Sequence, residues 1–80
     1  LDLQKQVSRG QRAKELLEDP LLQDSLKAIR NKLLHEWENS PLRDVEGREK
    51  LFLMLKAHTE LEAMLISEIE TGKLASQQLK

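Results

Sequence analysis

Two prolines, Pro20 and Pro41, cut a chain that is otherwise rich in helix formers. Proline has no N–H to donate and restricts the residue before it, so a helix starts at a proline or stops short of it. Asp19 stands directly before Pro20, where its carboxylate can cap the free N–H groups of a first turn and Pro20 can occupy the first helical position. From there Leu22, Leu26, Ile29, Leu33 and Trp37 recur every three or four residues, with Leu34 widening the stripe. This spacing predicts an amphipathic helix over Pro20–Glu38, ended by Asn39-Ser40-Pro41. Asp44 is placed to cap the next helix, with Glu46 favourable in its first turn.

The third helix is expected to run from Val45 to Thr71, with Gly72 as its left-handed C-terminal cap, a length of about 40 Å. Gly47 in its first turn is expected to pack closely against the preceding helix end near Trp37. Before Asp19, Ala13, Leu16 and Leu17 mark a short helix over Gln11–Glu18, and Ser8-Arg9-Gly10 interrupts what precedes it. The division is therefore a loosely ordered arm over 1–10, a helical domain over 11–72 and a tail or short helical extension over 73–80. Val, Ile and Thr are sparse, which argues against strands. The fold class is all-α: an antiparallel helical hairpin with a short preceding N-terminal helix, expected to self-associate. In it Leu22, Leu26, Ile29, Leu33 and Trp37 face Leu51, Phe52, Leu55 and Leu65.

The expectation of self-association rests on size and on apolar surface. Eighty residues without cysteine form at most one small core, which rarely contributes more than about 3–5 kcal/mol. No disulfide can reinforce it. On the long helix, Leu51, Leu55, His58, Leu61 or Glu62, Leu65 and Ile69 trace one stripe, and Phe52, Ala63 and Ile66 a neighbouring one. Leu53, Met54, Ala57 and Met64 fill further angles. Pairing with the second helix leaves the Met64–Ile69 region to the short first helix or to another chain. His58, Leu61, Met64, Leu65 and Ile69 are the candidate interface, since large exposed apolar patches mark interaction sites.

Catalytic chemistry finds no support. His35-Glu36-Trp37-Glu38 lacks the second histidine of a metalloprotease helix, because position 39 is Asn. The acidic pairs along the helices read as solvated faces. No catalytic residue, cofactor or metal is expected: two His and no Cys are a poor donor set for a structural zinc site. His58, alone on an apolar stripe, reads as a hydrogen-bonded core or interface residue. Arg43, Arg48 and Lys50 are the candidate polar contacts at the start of the long helix, where they can pair with Asp44, Glu46 and Glu49 or meet an acidic partner or phosphate. Thirteen Lys and Arg against fourteen Asp and Glu leave no basic surplus of the kind that phosphate binding requires, so nucleic acid is not favoured. No apolar run approaches the roughly 18 residues of a membrane span, and no signal-peptide pattern is visible. The expected compartment is the cytoplasm.

Asp19-Pro20-Leu21-Leu22, Trp37, Ser40-Pro41, the run from Asp44 to Leu51 and Glu70-Thr71-Gly72-Lys73-Leu74-Ala75 together resemble a group of short helical proteins of tailed phages and bacterial prophages. These are often encoded near DNA-packaging and head-assembly genes. The resemblance covers nearly the whole chain from about Gln11. It implies a phage-associated origin, the host cytoplasm as compartment, and another phage or host protein as a partner beside a second copy. It supplies no site residue. The function expected is a non-enzymatic assembly module acting through the long helix; the alternatives are a DNA-packaging factor of the small-terminase kind and a phage-encoded inhibitor of a host protein.

Overall fold

A computed structural model of the chain describes residues 2–80. Among them are three helices, α1 (Leu3–Glu18), α2 (Pro20–Glu38) and α3 (Val45–Leu79), and no strand. Each helix begins on an aspartate. Asp2, Asp19 and Asp44 accept from the backbone N–H of Lys5, Leu22 and Gly47 at 3.1, 3.1 and 2.9 Å. The N-terminal N–H groups of a helix have no partner within it, and a capping carboxylate satisfies one of them while opposing the positive end of the helix dipole. Replacing Asp44 by alanine is expected to cost about 1 kcal/mol. In a domain of this size that is a melting temperature about 4–8 °C lower, readable by circular dichroism.

The second helix has the bounds expected from its two flanking signals. The other two are longer than expected. Segment 1–10 is not a loosely ordered arm: from Leu3 onward it is helix, capped by Asp2 and running through Ser8-Arg9-Gly10 without a break. Only Leu1 lies outside the described residues. Likewise Gly72 does not cap the third helix, which continues to Leu79 with no glycine in a positive-φ conformation. Segment 73–80 is thus a helical extension. At 35 residues, α3 is about 52 Å long.

Both discrepancies have one cause. Gly10 and Gly72 are buried and lie back to back where α1 crosses α3. A Cβ on Gly10 would stand 2.8 Å from the Cα of Gly72, and one on Gly72 would stand 2.9 Å from the Cα of Gly10. Glycine costs about 1 kcal/mol in a helix interior, but here it lets two backbones touch. Ala13 and Ala75, 4% and 2% exposed, extend the close contact. Gly47 has a different role from the one expected. The atoms nearest a Cβ there belong to the capping carboxylate of Asp44.

The topology is a hairpin with one broken arm. Val7, Gly10 and Lys14 of α1 line a groove with Ile69, Gly72 and Ser76 of α3, and further along Leu17 and Leu26 line another with His58 and Glu62. So α1 lies along the C-terminal half of α3 and α2 along its N-terminal half, both antiparallel to it. The break between α1 and α2 is a single extended residue, Asp19, whose N–H bonds back to the Leu16 carbonyl while its side chain caps α2. Gln23 donates to the Leu17 carbonyl at 2.6 Å, satisfying an acceptor at the open end of α1. Among the α3 positions withdrawn from solvent, which also include Gly47, Arg48, Glu68 and Ala75, one row runs Leu51, Leu55, His58, Glu62, Leu65, Ile69, Gly72 and Ser76. Their alternating steps of four and three are the seam of a left-handed supercoil.

The outcome is a thin molecule. Its Cα extents are 57 × 25 × 13 Å, so it is far longer than it is thick. Ala13, Leu33 and Ala75 are the buried apolar residues, and no large side chain is fully enclosed. Ile29, Trp37 and Phe52, expected to face the seam, stay about half exposed. No helix among the described residues is long and apolar enough to cross a membrane.

Candidate interaction surface

The expected interface residues divide into three groups. His58 is buried in the seam, 7% exposed. Its Nε2 lies 2.8 Å from the Leu26 carbonyl of α2. A carbonyl only accepts, so Nε2 carries the proton and donates. Nδ1 lies 3.2 Å from Glu62 Oε1, off the line of a hydrogen bond. This polar pair faces the opposite arm near the Asp19 break, and the His58 bond ties α2 to α3 in a fixed register. A single polar side chain in a heptad seam commonly fixes register in this way.

Leu65 and Ile69 form the second group. They are half-buried because the longer α1 covers them: Leu65 shares a groove with Ala13 and Leu16, and Ile69 one with Val7 and Gly10. They belong to the intramolecular seam and are not free to dock a partner. Leu61 and Met64 are the third group, and they are open, at 49% and 66% exposure.

Around Leu61 and Met64 the structure adds residues that the sequence reading left unassigned. With 100° between successive residues, Met54, Ala57, Leu61 and Met64 stand on one flank of α3, about 100° around from the seam. Met54 and Leu53 are more than half exposed, and Ala57 is exposed as well. No charged residue falls within this set from Met54 to Met64; Lys50 and Glu68 follow at its two ends. Their steps of three and four repeat the seam's own spacing, a signal that was present in the sequence. The other flank of α3 is more polar. There Phe52 lies under the Lys56 ammonium at 5.6 Å, and Ile66 and Ala63 share a groove with Arg30, Thr59 and Glu62.

The expected polar contacts do not form a cluster. Arg48 turns inward and donates to the Leu42 carbonyl at 2.9 Å, holding the loop before α3. Lys50, two residues on, leaves the helix about 160° away, and Arg43 is exposed in the loop. None of the three pairs with Asp44, Glu46 or Glu49.

At the α1 end of the surface, Arg9 and Glu68 form a two-pronged ion pair, with Nε and Nη2 donating at 3.2 and 3.0 Å. The hydrogen bonds from Arg9, aided by its charge, hold the Glu68 carboxyl below its ordinary range and outweigh the opposing effect of desolvation. A carboxyl lowered in the folded state stabilises it above the ordinary carboxylate range and loses that contribution as pH falls through the lowered value. The pair is open to solvent, so the effect is small. Thermal melts at pH 7 and pH 3 should differ less for Arg9→Met than for the parent. An equal difference in both would mean that the pair plays no part in acid sensitivity. No family model, characterised protein or solved structure matches this chain.

Proposed function

We propose that this chain is a non-enzymatic assembly module that self-associates through the open flank of α3. The supporting observation is surface area. The isolated chain exposes 6583 Å², whereas a compact monomer of 9.3 kDa exposes about 5,000 Å². The excess of about 1,600 Å² exceeds the ~800 Å² that each partner buries in a standard stable interface. It arises because the hairpin is one layer thick and folds no third element over Met54, Leu61 and Met64. A chain with so little enclosed apolar volume gains stability when that flank is covered.

The test is solution mass by light scattering across a concentration series of the full chain at neutral pH. A mass of two or more chains is expected, and a monomer at every concentration overturns the reading. The phage or prophage setting, with packaging or head assembly as the step served, is part of the proposal and rests on the sequence resemblance alone.

A further inference from the structure

Resting on the self-association reading, we propose a specific geometry for it: an antiparallel two-fold dimer in which α3 of one copy lies along α3 of the other. The two hairpins then form a four-helix bundle. Three observations lead to this arrangement.

The first is angular. The seam occupied by α1 and α2 and the open row Met54, Ala57, Leu61, Met64 are about 100° apart around α3. A helix in a four-helix bundle has two neighbours at roughly right angles and needs two apolar rows so placed. One hairpin supplies one neighbour, and a second hairpin supplies the other.

The second is the order of residues along the open row, which reads Lys50, Met54, Ala57, Leu61, Met64, Glu68. Set antiparallel about a two-fold axis level with Thr59, the row meets itself in matched pairs. Ala57 falls opposite Leu61 of the second copy, small against large, and Met54 opposite Met64. Lys50 falls opposite Glu68, so opposite charges close both ends of the apolar stretch. A parallel pairing sets Lys50 against Lys50 and Glu68 against Glu68, which repel. The pattern therefore selects a second copy and also its direction. Glu68 keeps its bond to Arg9 in this arrangement, since a carboxylate accepts several donors.

The third is area. Two hairpins joined along α3 cover the open flank on each copy, with Met54, Leu61 and Met64 at 54%, 49% and 66% exposure, and the interface is isologous, as the commonest soluble dimers are.

The chain has no cysteine, so directed cross-linking tests the geometry cleanly. Met54→Cys and Met64→Cys are prepared separately, mixed and mildly oxidised. Each variant carries one cysteine, and in the antiparallel pair two like positions stand about 15 Å apart along the helices, so a disulfide forms only between a 54 and a 64 of different copies. The mixture should give a covalent dimer, and each variant alone at least about tenfold less. Leu61→Glu should reduce the mass to that of one chain, while Ile66→Glu, on the other flank, should leave the dimer intact. Helicity measured alongside separates dissociation from unfolding. Cross-linking of Met54→Cys with itself, or a Leu61→Glu variant that stays folded and dimeric, overturns the geometry while self-association stands. A parent chain that is monomeric throughout overturns both.

Discussion

Gly10→Ala is expected to lower the stability of this protein, although in an isolated helix the same exchange raises it. The intrinsic gain is about 1 kcal/mol. Against it stands a Cβ placed 2.8 Å from the Cα of Gly72 and 2.9 Å from the carbonyl oxygen of Glu68. Both are backbone atoms, so neither can swing aside. Overfilling a tight contact costs about 1–3 kcal/mol, occasionally more, and leucine at either glycine should detach α1 altogether. Gly47→Ala should destabilise by another route, because the new methyl pushes aside the Asp44 carboxylate that caps α3, a loss of about 1 kcal/mol. Denaturant melts of these variants beside the parent decide the matter. A stabilised Gly10→Ala protein would mean that α1 and α3 do not approach this closely.

Leu33→Ala should have an effect of similar or larger size at the other end of the molecule. Leu33 is 4% exposed and is the buried leucine of α2. Truncating a core leucine costs about 2–5 kcal/mol, through lost transfer energy and the cavity left behind. A fold this thin has little to spare, since a single core of this size contributes about 3–5 kcal/mol. The variant should therefore be largely unfolded, or folded only at high concentration if self-association contributes to stability. Leu21→Ala, at a position 76% exposed, should be nearly silent in the same circular dichroism measurement. If Leu33→Ala melts like the parent, α2 is not held where the structure places it.

Much of this fold is legible in the sequence, and what is not has a local explanation. Asp19-Pro20 and Asn39-Ser40-Pro41 bound α2 because capping and proline geometry act within a few residues and need no tertiary partner. The all-α class follows from composition and periodicity. The ends of α1 and α3 escape for the reason that makes α2 easy. A glycine judged by propensity ends a helix, and only the opposite helix reveals that Gly10 and Gly72 serve contact and not termination. The full length of α1, hidden by Gly10 in the sequence, is what covers Leu65 and Ile69.

His58, of the same candidate interface, lies in the seam as well; a lone histidine on an apolar stripe needs a hydrogen-bond partner, and the Leu26 carbonyl provides one. The row from Met54 to Met64 was visible only as surplus. It stands out as an exposed apolar row once the seam has been located, since the meaning of an angle depends on where the partner helix lies.

The seam between the arms changes in bulk along its length, from Leu51 and Leu55 near the loop to Gly72 and Ala75 at the far end. The hairpin is consequently a wedge, broad where leucines hold α2 off and narrow where α1 and α3 touch backbone to backbone. Two wedges set head to tail, as an antiparallel pair requires, compensate each other's taper and give a block of even width. Set head to head they would splay. The glycines that bring α1 onto α3 thus also bear on how the outer edges of a pair would lie.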